Sequence, residues 1–149
     1  MRKFTKLALL AAVVVPIWKI HTLNVSVDHL RKTHEAVPFF AFYRYGFQTG
    51  SVVFNVNAQQ CSDVVDNVIP AFHAFLAVMQ AENPREVRLA WQGETVAVVQ
   101  RAAMETIWRS NSWRASYTLD PLAQAVVCTQ DGDLLIDWEL LMSEKSVLI

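Results

Sequence analysis

Between residues 62 and 82 the apolar side chains recur at steps of three and four: Val64, Val65, Val68, Ile69, Phe72, Phe75, Leu76 and Met79. That period lines them along one helical face, and the face needs a surface to bury against. Ser62 or Asp63 can cap the start by accepting from orphan backbone N–H groups. Asp63 and Asp66 also suit the positive end of the helix dipole. Pro70 deletes one backbone donor inside the stripe and predicts a kink there. Asn83 and Pro84 end the helix.

The surface is supplied by segments with a two-residue period. Phe39, Phe40, Phe42, Tyr43, Tyr45 and Phe47 crowd one short stretch, and such residues fit a pleated surface. Val52, Phe54 and Val56 then alternate with polar neighbours, and Gln48, Thr49 and Gly50 read as the turn of a hairpin. Val87, Leu89 and Trp91 form a further strand, and Gly93 and Glu94 turn it into Thr95 to Val99. Ala103, Met104, Ile107 and Trp108 suggest a shorter helix. The cleanest alternation is Trp113, Ala115, Tyr117 and Leu119. Asp131-Gly132 joins two strands, Ala125 to Thr129 and Leu134 to Leu140, because both turn residues tolerate positive φ. Asn24 to Glu35 is compatible with a linker, a short helix or a first strand.

The fold reading is therefore α+β. A mostly antiparallel sheet carries one long helix (about 62–82) on a face, without obvious βαβ alternation. At 149 residues and 53% hydrophobic composition the chain holds one domain with a real core, over 24–149. No internal repeat divides it.

Residues 1–23 read differently. Arg2, Lys3 and Lys6 precede an unbroken apolar run from Leu7 to Trp18, the pattern of a signal peptide or signal anchor. The run is shorter than the roughly 20 apolar residues of a full span. No small-x-small cleavage site follows it, which favours retention as an anchor. The charges place that end in the cytoplasm and the domain outside, in the periplasm of a bacterial-type cell, or free there if the segment is cleaved. A buried first element of a cytosolic domain is the competing reading.

The motifs exclude more than they assign. Net charge is −1, and no basic excess points to a nucleic-acid partner. His34-Glu35 opens like a zinc-protease motif, but Pro38 stands where the second histidine is needed. His29 and His34 are five apart and do not share a helical face. His73 falls on the border of the helical stripe. Asp131, Asp133, Asp137 and Glu139 are interrupted by strand residues and do not make a calcium loop. No phosphate loop, nucleophile elbow or dinucleotide fingerprint appears, and no metal or cofactor is expected. Cys61 and Cys128 have no Cys-x-x-Cys spacing. They are either two buried thiols or, in an exported domain, a disulfide.

The aromatic stretch is the least ordinary feature. A central strand buried on both sides would account for it. If one face lacks a cover, a partner, lipid or ligand could supply one, and Phe39, Phe40, Phe42, Tyr43, Tyr45 and Phe47 become the binding candidates. Arg44, in their midst, should point outward or pair with an acid. The apolar C-terminus, Ser146 to Ile149, reads as a frayed or packed end. The leading functional expectation is a non-enzymatic envelope protein, attached through residues 7–18, that binds another envelope protein. It would serve as an accessory subunit of an assembly or as a periplasmic neutralising protein. A small-molecule or lipid carrier using the aromatic strand is the alternative, and a small hydrolase with an unrecognised site the third.

Overall fold

The computed structural model describes residues 23, 27–44, 50–110 and 125–137. Helix α1 (27–33) leads into β1 (Phe39–Tyr43) and β2 (Ser51–Val56). A short 3-10 turn (Cys61–Asp63) precedes α2 (Val65–Val78). Strands β3 (Glu86–Trp91) and β4 (Glu94–Gln100) are followed by α3 (Arg101–Ser110), and β5 (Val126–Cys128) and β6 (Leu134–Ile136) close the order. The architecture is α+β, with a four-stranded mixed sheet in the order β1-β2-β3-β4 and a separate two-stranded sheet, β5-β6. No described helix is long and apolar enough to cross a membrane.

Three expectations need correction. First, the helix is shorter than 62–82. Cys61 and the two residues after it form the 3-10 turn, whose last bond runs from Val64 N–H to Cys61 O. Val64 stands at the α2 N-cap with no side-chain bond, so neither Ser62 nor Asp63 caps it. Beyond Val78 the chain continues in turns to Asn83, whose φ of 48° suits an asparagine better than most residues. Second, a βαβ unit is present: β2 and β3 pair in parallel, with α2 as their crossover, while β1-β2 and β3-β4 are antiparallel hairpins. A parallel pair requires such a crossover, and α2 has the length for it. Third, the β3-β4 turn is Gln92-Gly93, one residue earlier than read. Both have positive φ (49° and 94°), as a two-residue type I′ hairpin demands.

The helices lie on one face of the sheet. Phe39, Ala41, Tyr43, Val52, Phe54, Val56, Val87, Leu89, Ala97 and Val99 enter a core with Val68, Phe72, Phe75, Leu76 and Met104. Phe54 is the hub. Its ring stands 4.5 Å from Phe39, 5.4 Å from Phe72 and 5.0 Å from Phe75. Aromatic pairs at these separations add to what their buried area contributes. Trp108 Nε1 donates to Leu76 O at 2.8 Å and ties α3 to α2. A disulfide joins Cys61 to Cys128, with Cα atoms 5.5 Å apart, and Cys61 N–H donates to Gly132 O at 2.8 Å. The β5-β6 hairpin is thus fastened to the start of the α2 region. The Leu7–Trp18 segment, the 113–119 alternation, residues 138–140 and the C-terminus lie outside the described residues.

Candidate functional site

Alternation along β1 divides the candidate aromatics. Phe39 and Tyr43 are buried in the core, whereas Phe40 is 52% exposed and Phe42 46% exposed on the opposite face. Tyr45 and Phe47 lie outside the described residues. β1 is not a central strand buried on both sides: among the described residues it pairs with β2 alone, at the sheet edge. Two faces of aromatics therefore exist, and the described helices pack on only one of them.

The register shows which backbone groups the edge presents. Arg44 N–H donates to Ser51 O at 3.0 Å, and Asn57 N–H donates to Pro38 O at 2.8 Å. In an antiparallel pair the bonded residues alternate. Phe40 opposite Asn55 and Phe42 opposite Val53 therefore spend their backbone groups on β2. Those of Phe39, Ala41 and Tyr43 point to the other side. Arg31 confirms the direction: its Nε donates to Phe39 O at 3.1 Å from beyond the edge. Its guanidinium carbon lies 5.4 Å from the Phe40 ring centroid and 5.8 Å from that of Phe39. Asp28 holds the same guanidinium through Nη1 at 2.9 Å.

Beside the exposed aromatics the outer face carries a polar cluster. Ser51 Oγ donates to Glu86 Oε1 at 2.7 Å, and Arg88 Nε donates to the same oxygen at 2.8 Å. Arg44 Nη1 stands 3.9 Å from it, so Arg44 pairs with an acid, as its position required. Desolvation alone would raise the Glu86 pKa. The Ser51 and Arg88 hydrogen bonds and the Arg88 and Arg44 charges outweigh it and hold the carboxyl below its ordinary value. Cross-strand neighbours on one sheet face put these residues together, although they lie up to 44 positions apart in sequence. Hydrophobic alternation alone could not have found them.

On the core side Tyr43 is positioned by its hydroxyl, which donates to Glu82 Oε2 at 3.1 Å. Burial first, and then the Glu82 charge and hydrogen bond, push its pKa far upward. The bond anchors the Tyr43 side chain on the core side of the sheet. His73, on α2, keeps Nε2 buried with no partner among the described residues, and burial lowers its pKa.

A cleft of about 550 Å³ lies elsewhere, along the other sheet edge. Trp91, Gln92, Glu94, Thr95 and Val96 form one wall and Asp133 to Ile136 the other. No β1 residue lines it. Among the described residues no three His, Cys, Asp or Glu side chains converge where they could hold a metal. Comparison with family models, curated proteins and solved structures finds no match to this chain.

Proposed function

We propose that this domain is a non-enzymatic docking module of the cell envelope, and that it takes an extended segment of another protein along β1. The observation that carries the reading is the pairing of two half-exposed phenylalanines, Phe40 and Phe42, with a backbone edge of the same strand that no described strand covers. An added strand would bond to Ala41 and Tyr43, and its alternate side chains would lie beside Phe40 and Phe42. Completing the burial of two half-exposed phenylalanines contributes about 1 kcal/mol each. Arg31 beside Phe40, together with Arg44 and Arg88 around Glu86, favours a segment with apolar side chains and a carboxylate. The disulfide supports an oxidising compartment, which accords with export. The Leu7–Trp18 run would then hold the domain at the membrane.

The test is site-specific photo-crosslinking from Phe42 in the native cell, with Val127 as an exposed control on β5. One saturable adduct from Phe42 and none from Val127 is expected. Ala41→Pro should abolish it while leaving the fold intact, because the Ala41 N–H points away from β2 and makes no ladder bond. An adduct that survives Ala41→Pro, or equal labelling from Val127, would remove the reading.

A further inference from the structure

The β1 edge is one end of the sheet, and the cleft at β4 is the other. The cleft wall on the sheet side is set by the type I′ turn at Gln92-Gly93, which delivers Glu94 to the first position of β4. The facing wall is set by the β5-β6 turn. There Gly132 has a φ of 89°, Gly132 N–H donates to Thr129 O at 3.1 Å, and Asp133 N–H donates to Thr129 Oγ1 at 3.0 Å. That turn delivers Asp133 to the entrance of β6. Two hairpins of separate sheets therefore place two carboxylates on facing walls of one cavity.

Among the described residues neither carboxylate has a cationic partner, and no lysine, arginine or histidine lines the cleft. Asp131, exposed in the same turn, adds to the negative potential. Between the acids the walls are aliphatic: Val96, Leu134, Leu135 and Ile136, with Leu135 52% exposed. Trp91 completes the lining. It is 4% exposed, and its Nε1–H has no acceptor among the described residues. Gln92, Glu94, Thr95 and Asp133 thus share the lining with four aliphatic side chains and one indole, and the cleft offers both charge and an apolar surface to a ligand.

We propose that the cleft binds an aliphatic cation: an ammonium or guanidinium head paired with Glu94 and Asp133, its methylene stem lying on Val96 and Leu135. A free polyamine and a lysine side chain of a bound protein share that chemistry. The site is independent of the β1 edge, so each can fail without the other. The Cys61–Cys128 bridge joins the β5-β6 wall to the start of the α2 region.

The experiment is titration of the 15N-labelled, oxidised protein with spermidine, and separately with an uncharged-backbone peptide carrying one lysine. The indole N–H signal of Trp91, assigned through Trp91→Phe, is the readout. Saturable movement of that signal is expected with at least one probe, and the tighter of the two identifies the source of the cation. Glu94→Gln and Asp133→Asn should each weaken binding by about fivefold, as for an exposed ion pair, and together remove it. Both replacements are at exposed positions, and unchanged amide signals from the core would show that the fold persists. Movement that never saturates with either probe, or affinity unchanged in the double variant, would overturn the proposal.

Discussion

Arg31 Nε donates to Phe39 O at 3.1 Å while the same guanidinium lies over the Phe40 ring. One side chain therefore caps a backbone acceptor on the edge of β1 that no described strand covers, and shields the first exposed aromatic. Charged residues that blunt a sheet edge are a common defence against edge-to-edge association. Arg31→Ala should remove that defence. Sedimentation velocity should show concentration-dependent self-association of the variant at concentrations where the parent is monomeric. The lost hydrogen bond should lower stability by about 1 kcal/mol.

The Cys61–Cys128 bridge closes a loop across a sequence separation of 67. In the chain-entropy account, a loop of this size stabilises by about 4 kcal/mol, and native strain or residual structure reduces that figure. Replacing both cysteines by serine should cost 2–4 kcal/mol on that basis, read as a fall in urea midpoint. Hydrogen exchange should accelerate most in β5 and β6, whose hold on the main sheet is weakened, and least in β2 and β3 at the sheet centre.

Tyr43 sets an alkaline limit. Its pKa is raised in the folded state, so above pH 10, its ordinary value, the unfolded chain releases a proton that the folded chain keeps. Stability is then fully present below pH 10 and declines above it. Tyr43→Phe lacks the ionisable group and should flatten the decline between pH 9.5 and about 11 in a series of chemical denaturation curves.

His73 acts in the opposite range. Burial lowers its folded pKa below the ordinary value of 6.5, so the unfolded chain takes up a proton first as pH falls. Its contribution is present above pH 6.5 and lost as pH falls through the folded value. His73→Gln should reduce the loss of stability between about pH 7 and pH 5.5. Glu86 acts lower still: its depressed pKa makes its share vanish only below its ordinary value of 4.5, so the two windows separate.

Much of the architecture was legible because period and packing agree. The stripe from Val64 to Met79 specified a helix, and the Phe54 neighbourhood showed where it would pack. The β5-β6 hairpin is legible from Asp131-Gly132, although only Gly132 takes a positive φ. The helix ends were not, because the Cys61 bridge and the 3-10 turn set one boundary and a positive φ at Asn83 lies beyond the other. The parallel β2-β3 pairing is not legible, because hairpin signals on either side dominate the pattern. Composition marks six aromatic candidates in one stretch. Alternation left Phe40 and Phe42 outside and carried Phe39 and Tyr43 into the core. The facing pair of Glu94 and Asp133 lay beyond local pattern altogether, since 39 positions of chain separate them.

Docking along β1 requires its outer edge to be open, and amide hydrogen exchange of the isolated monomer tests that directly. Phe40 and Phe42 bond to β2 and should exchange slowly, while Ala41 and Tyr43, whose N–H groups point away, should exchange much faster. That alternation within one strand would establish a vacant edge beside two exposed phenylalanines. Equal protection of all four amides would show that the edge is already covered, and β1 would lose its claim to be the docking strand.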